Sequence, residues 1–212
     1  MSDLPINNSD AGKLKTAERH AEKMAKKKAA RNKIMATKTK KGGLLVVNTG
    51  KGKGKSTAAF GMICRGIGHG MRVGVVQFVK GKWETGEKKV LEAFPDQVTV
   101  HTMGEGFTWD TQDLNRDIAA AEAAWTQAKL MMNDPSYSMV LMDELNRVLR
   151  YNYLQIDQVL KTLKNKRSEL HVIVTGRNAK EELIEVADLV TEMTMIKHPF
   201  RSGFKAQAGI EF

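Results

Sequence analysis

Short apolar runs alternate with amphipathic segments along most of the chain. Six runs have the length and β-branched composition of buried strands; they are residues 44–47, 73–79, 98–103, 139–142, 170–175 and 189–195. The segments between them have helical spacing; they are residues 56–68, 84–94, 113–133, 146–166 with a break near Tyr151, and 179–187. This alternation predicts βαβ units, and therefore a three-layer α/β fold with a mostly parallel sheet and helices on both faces.

The basic charge of the chain is concentrated near its N-terminus. The 212 residues carry a net charge of +10, and residues 1–42 hold 12 Lys/Arg against 4 Asp/Glu, which leaves 22 against 20 in residues 43–212. We therefore predict a basic, partly helical or disordered N-terminal arm over 1–42 and one domain over 43–212. Such an arm can bind RNA or DNA phosphates weakly, but a solvated tail without a partner is the favoured interpretation, so nucleic acid is not an expected partner.

Composition also indicates where in the cell the protein is expected to work. The chain contains no run of about 18 uncharged apolar residues, and its N-terminus is too charged for a secretory signal, so we expect a soluble, cytoplasmic protein without a membrane partner. The single cysteine, Cys64, cannot form an internal disulfide. We expect it to be a small buried side chain of structural importance.

A glycine-rich loop lies between the first predicted strand and the first helix of the domain. Its alternating glycines allow backbone N–H groups to approach phosphate, while Lys55 supplies a cation and Ser56 a hydroxyl for a metal ion. The loop is one residue shorter than the usual phosphate loop, because Thr49 occupies the position of the expected first glycine. The fold expected is thus P-loop NTPase-like (RecA-like). The candidate nucleotide-binding residues in the loop are Gly50, Lys51, Gly52, Lys53, Gly54, Lys55, Ser56 and Thr57.

A second candidate element follows the apolar run at residues 139–142. Asp143 and Glu144 stand where a buried strand would deliver carboxylates to the carboxyl edge of the sheet, as in a Walker B site. Together with Ser56 they are candidate ligands of Mg2+ or Mn2+, and the sequence does not say which carboxylate contacts the metal. The alternative is that Asp143 is only a helix N-cap.

Several phrases of the sequence together resemble one family, the P-loop ATP:corrinoid adenosyltransferases. The likeness spans residues 43–212 and includes the short phosphate loop, which is typical of that family. The other matching phrases are residues 75–81 (VVQFVKG), 106–112 (GFTWDTQ), 140–145 (VLMDEL), 174–177 (VTGR), and the tail 196–211.

The resemblance implies a reaction and further site residues. Co(I) of a corrinoid attacks the 5′ carbon of ATP, which lies reversed in the loop, and inorganic triphosphate leaves. Phe107 and Trp109 are implied to press on the corrinoid and help to remove its lower axial ligand, and they join Lys55 as the candidate catalytic residues. Arg177 is a candidate nucleotide contact. A homodimer, an electron-donating reductase and an N-terminal helix that covers the ATP site are also implied.

Two other functions are compatible with the sequence. A conventional P-loop NTPase or kinase would use Glu144 to orient water or an acceptor, although the short loop argues against it. A nucleotide-dependent RNA-binding protein would use the arm at residues 1–42. No Asp-x-His-x-x-Gly phrase of cobalt-ligating proteins occurs, so the histidines receive no ligand role; those considered are His69, His101, His171 and His198. The physiological corrinoid, the reductase and the role of the arm are not specified by the sequence.

Overall fold

The computed structural model describes residues 8–79, 85–103 and 113–211, the first eight of them as backbone only. The chain divides into two compact units, Met1–Lys41 and Gly42–Phe212. In the first unit a helix, α1, spans Asn8–Ala36, and every side chain described in it is exposed. Its lysine- and alanine-rich sequence has no apolar stripe for packing.

The second unit contains strands and helices in alternation. Its strands are β1 Leu45–Thr49, β2 Val73–Gln77, β3 Val98–Thr102, β4 Met139–Asp143, β5 His171–Thr175 and β6 Leu189–Glu192. Its described helices are α2 Lys55–Gly68, α3 Gly86–Leu91, α4 Leu114–Asn133, α5 Leu145–Arg150, α6 Ile156–Lys164 and α7 Glu181–Val186, followed by a 3-10 turn at Pro199–Ser202. In the part of the chain that is described, no helix has the length and apolarity needed to cross a membrane.

The strands form one six-stranded sheet in the order β3-β2-β4-β5-β1-β6, and all neighbouring pairs are parallel. The prediction of a parallel α/β fold is confirmed. Because the strands are parallel, the loops after β1, β4 and β5 leave from one carboxyl edge of the sheet. Strand β5 lies between β1 and β4, so three strand ends meet where ligands gather in such folds.

Apolar side chains cover both faces of the sheet. One core cluster combines α2 and α3 with the sheet through residues such as Phe60, Ile63 and Leu91, and the other combines α4 to α7 with the opposite face. The prediction for Cys64 is wrong, because the side chain is exposed. Helix α2 turns Ala59, Ile63 and Ile67 toward the sheet, and a residue directly after Ile63 lies about 100° around the helix from that stripe.

Two predicted segments differ in detail from the structure. The predicted break near Tyr151 is confirmed, since α5 ends at Arg150 and α6 begins only at Ile156, with Asn152 at φ 57° between them. Strand β6 has four exposed residues, because it is an edge strand that, among the described strands, pairs only with β1. An apolar run therefore identified this strand correctly but did not show that it was only partly covered.

Candidate functional site

The phosphate loop connects β1 to α2 at the carboxyl edge of the sheet. Gly50 and Gly54 have φ values of 98° and 99°, a left-handed conformation that favours glycine. The left-handed turn at Gly54 lets α2 begin at Lys55 directly after the loop. The N-terminal N–H groups and positive dipole end of α2 therefore face the same side as the loop, an arrangement suited to an anion.

The chain after β6 returns along this loop. The Met193 N–H donates to Thr49 O at 2.9 Å, and the Gly52 N–H donates to Met193 O at 2.6 Å. A Cβ added at Gly52 would come within 2.6–2.8 Å of the backbone of Met193 and Thr194. Only glycine permits this close approach, so the segment after β6 lies in direct backbone contact with the phosphate loop.

Lys55 lies inside the loop and is almost fully buried, with 7% of its surface exposed. Its Nζ donates to Gly52 O, and its own carbonyl accepts a hydrogen bond from Asn48 Nδ2 at 3.2 Å. Burial lowers the pKa of Lys55, and Arg177 and Lys53 act in the same direction, while Glu144 opposes them. The positive charge is thus held in a desolvated position where an anionic ligand would relieve its cost.

Two hydroxyl groups converge on Asp143 at the end of β4. Ser56 Oγ donates to Asp143 Oδ1 at 2.8 Å, and Thr175 Oγ1 donates to the same oxygen at 2.6 Å. Thr175 Oγ1 also accepts the Glu144 N–H at 2.9 Å, so this fully buried hydroxyl links the two carboxylate residues. Sequence reasoning missed Thr175 as a site residue, although its place at the end of a buried strand beside a glycine was a usable signal.

Glu144 has an unusual backbone and an unfavourable environment for its charge. Its φ of 62° is left-handed, which is rare for a non-glycine residue and is typical of functional positions. Burial and the neighbouring Asp143 raise the pKa of Glu144, whereas Arg147, Lys55 and Arg177 lower it. Glu144 and Lys55 thus lie in one electrostatic environment in which both charges are partly desolvated.

Arg177 follows β5 in a loop that is anchored on both sides. Asn146 is fully buried and donates from Nδ2 to Gly176 O at 3.0 Å, and Gly176 has φ 126° with the Asn146 Cβ in the way of any added side chain. The Ala179 N–H donates to Thr49 Oγ1 at 2.9 Å, which ties the end of this loop to β1. The charge of Arg177 acts on both Lys55 and Glu144, so the loop brings it to the same site.

The oxygen atoms at this site fit a magnesium or manganese ion. Mg2+ prefers one or two carboxylates together with substrate phosphates and water. Ser56 donates its hydroxyl hydrogen to Asp143, which leaves the lone pairs of its oxygen available to a hard cation beside that carboxylate. Among the described residues no group of three or more His, Cys, Asp or Glu side chains is gathered for a metal. Ser56 and Asp143 could therefore supply part of a ligand set that phosphate oxygens would complete.

The predicted aromatic residues Phe107 and Trp109 lie outside the described residues. Met103, the last described residue before their segment, lies at the same carboxyl edge of the sheet. The Met103 N–H donates to Gln77 O at 3.1 Å, and Gln77 pairs in register with Asp143. The chain therefore leaves β3 two strands away from the Asp143 carboxylate.

The site combines a glycine loop between β1 and α2 with an aspartate at the end of a strand that is hydrogen-bonded to a hydroxyl of α2. This combination defines a P-loop nucleotide-binding protein of the parallel α/β class. A family model described as ATP:corrinoid adenosyltransferase BtuR/CobO/CobP matches residues 41–212. The chain belongs to this ATP:corrinoid adenosyltransferase family, and the resemblance inferred from its sequence is confirmed.

Relatives extend the match beyond the domain. A corrinoid adenosyltransferase of a Sinorhizobium species is 59% identical over 214 residues and covers 100% of both chains. Corrinoid adenosyltransferases of Pseudomonas aeruginosa and Escherichia coli K12 are 51% and 46% identical, over 92% and 80% of this chain and 96% and 86% of their own. The first of these relatives therefore has a counterpart of the N-terminal arm as well.

Proposed function

We propose that this protein transfers the 5′-deoxyadenosyl group of ATP to Co(I) of a corrinoid, cobalamin or a precursor, and releases inorganic triphosphate in adenosylcobalamin biosynthesis or salvage. The observation that carries the proposal is the family match over residues 41–212. The short phosphate loop with its buried Lys55 is the structural feature that supports it.

In the proposed step the corrinoid substrate supplies the nucleophile. The electron pair of Co(I) forms the Co–C bond at C5′, the C5′–O bond breaks, and triphosphate leaves with that bonding pair. The protein needs no nucleophile of its own and has to stabilise the negative charge on the leaving group. Lys51, Lys53 and Lys55, together with the loop N–H groups and the N-terminus of α2, supply positive potential where the triphosphate would lie.

Ser56 and Asp143 are the residues that we propose hold Mg2+ or Mn2+, with Glu144 beside them. The bound ion would neutralise phosphate charge. Thr175 keeps the Asp143 carboxylate turned toward Ser56 through its 2.6 Å hydrogen bond. Such support by an outer residue commonly changes metal affinity about 10–100-fold.

The corrinoid and nucleotide contacts are further parts of the proposal. Phe107 and Trp109 would contact the corrinoid face, an assignment that rests on the family resemblance. Arg177 would contact the nucleotide, which is supported by its electrostatic effect on both Lys55 and Glu144.

The oligomeric state, the cellular location and the reductase partner are also proposed from the family resemblance. We propose a cytoplasmic homodimer that works with an electron-donating reductase, with residues 43–212 as the adenosyltransferase domain and 1–42 as a separate basic arm. Exposed Leu189 and Val190 on the marginal strand β6 support self-association. Sedimentation analysis that finds only a monomer at micromolar concentration would contradict the dimer.

The decisive experiment mixes the purified protein anaerobically with MgATP and chemically reduced cob(I)alamin. The corrinoid absorbance spectrum is followed while the phosphate product is identified. We expect a light-sensitive adenosylated product with stoichiometric triphosphate, and a large loss of both in Lys55→Met. Orthophosphate and ADP, with a corrinoid spectrum that ATP does not change, would instead establish a conventional NTPase.

A further inference from the structure

The C-terminal tail places a carboxylate on a lysine of the phosphate loop. Glu211 Oε2 forms an ion pair with Lys53 Nζ, although the two residues are 158 positions apart in the sequence. The Glu211 side chain is 17% exposed and that of Lys53 is 45% exposed. The pair is thus half-buried on the tail side and open to solvent on the loop side.

The chain between β6 and Glu211 contacts the phosphate loop near its start and makes a local turn near its end. The backbone of Met193 lies against both Gly50 and Gly52, and that of Thr194 lies against Gly52. Further on, the Glu211 N–H donates to Gln207 O at 2.9 Å, which closes a turn just before the ion pair. Backbone contacts at Met193 and Thr194 therefore fix the start of this segment beside the loop, and the ion pair with Lys53 joins its far end to the same loop.

Lys53 stands between Gly52 and Gly54, within the segment whose N–H groups and cations are suited to polyphosphate. A carboxylate on Lys53 occupies a cation that phosphate oxygens would use, and its charge repels an arriving polyanion. We propose that Glu211 competes with polyphosphate for Lys53, so that it limits the affinity of the loop for triphosphate and favours departure of that product.

This inference rests on the proposed function in one respect, namely that triphosphate is the product. Ligand binding would exchange the Glu211 carboxylate for phosphate oxygens on Lys53, and release would restore the ion pair. A purely structural role for Glu211 predicts the opposite sign, because loss of a structural contact would loosen the loop and weaken binding.

The test measures binding of inorganic tripolyphosphate and of MgATP by calorimetry to wild-type protein and to Glu211→Gln, with Glu211→Ala as a second variant. We expect both variants to bind tripolyphosphate about two- to fivefold more tightly, the range for one partly exposed ion pair. The gain should shrink as ionic strength rises. Glu122→Gln, which removes an exposed charge on α4, is the matched control and should bind like wild type.

A double-mutant cycle assigns the effect to the lysine. In a Lys53→Met background, Glu211→Gln should no longer tighten binding. Unchanged or weaker tripolyphosphate binding by Glu211→Gln, or an equal gain in the Lys53→Met background, would overturn the inference and leave the proposed function standing. Failure of the wild-type protein to bind either tripolyphosphate or MgATP would overturn both.

Discussion

Gly52→Ala perturbs the contact between the phosphate loop and the returning tail. The added Cβ would lie 2.6 Å from Thr194 O and 2.7 Å from Met193 O, whereas ordinary contacts begin near 3.4 Å. The obstructing atoms are backbone, so a side-chain rotation cannot remove the clash. The loop and the tail must therefore separate by about 0.8 Å.

That displacement has a calculable cost. The Gly52 N–H to Met193 O hydrogen bond, 2.6 Å long, would be stretched or lost at about 0.5–1.5 kcal/mol. Including the repacking, we expect a loss in unfolding free energy of about 1–3 kcal/mol. A misplacement of about 1 Å in groups that position a substrate can reduce turnover about 100-fold, and we expect a loss of that order in adenosyl transfer.

Gly61→Ala is the matched control for this substitution. Gly61 is exposed within α2, and an added Cβ would meet no atom within 4 Å. Alanine should stabilise the helix by about 0.5–1 kcal/mol, raise the Tm by about 1–4 °C, and leave catalysis unchanged. The assays are thermal unfolding, tripolyphosphate calorimetry and corrinoid turnover, each at a temperature where all variants are folded. Wild-type binding and turnover by Gly52→Ala would refute the reasoning.

Three further predictions concern the carboxylate site and the corrinoid face. Thr175→Val should weaken Mn2+ binding in the presence of ATP about 10–100-fold, measured by electron paramagnetic resonance, because Asp143 loses its hydroxyl support, while Thr175→Ser should stay near wild type; equal affinities would contradict this role. Burial raises the pKa of Glu144, so the folded state binds its proton more tightly than the unfolded state does. Glu144 therefore contributes stability at low pH, and this contribution is lost as pH rises through the raised pKa. Glu144→Gln should therefore raise the Tm of ligand-free protein at neutral pH, with the difference vanishing below about pH 4.3, and a lower Tm at neutral pH would count against it. Trp109→Ala, outside the described residues, should keep calorimetric ATP binding but lose much of its activity from Co(II) with a reducing partner; undiminished activity would exclude the corrinoid-face role.

Local sequence determined the parts of the site that lie close together along the chain. The run into β1, the glycines at Gly50 and Gly54 and the start of α2 at Lys55 form one continuous motif, so its geometry follows from neighbouring residues. Asp143 was predictable for the same reason, since it directly follows an apolar run. The alternation of strands and helices predicted parallel pairing because right-handed crossovers return each strand in the same direction.

Only the tertiary structure decided which distant residues share the site. Periodicity shows that a face is buried but does not say which strands are neighbours, and it was the place of β5 between β1 and β4 that brought Thr175 to Asp143. The same limit explains the wrong prediction for Cys64, whose exposure depends on which side of α2 meets the sheet. The pairing of Glu211 with Lys53 across 158 positions depends on the return of the tail over the loop, a long-range packing contact that no local pattern encodes.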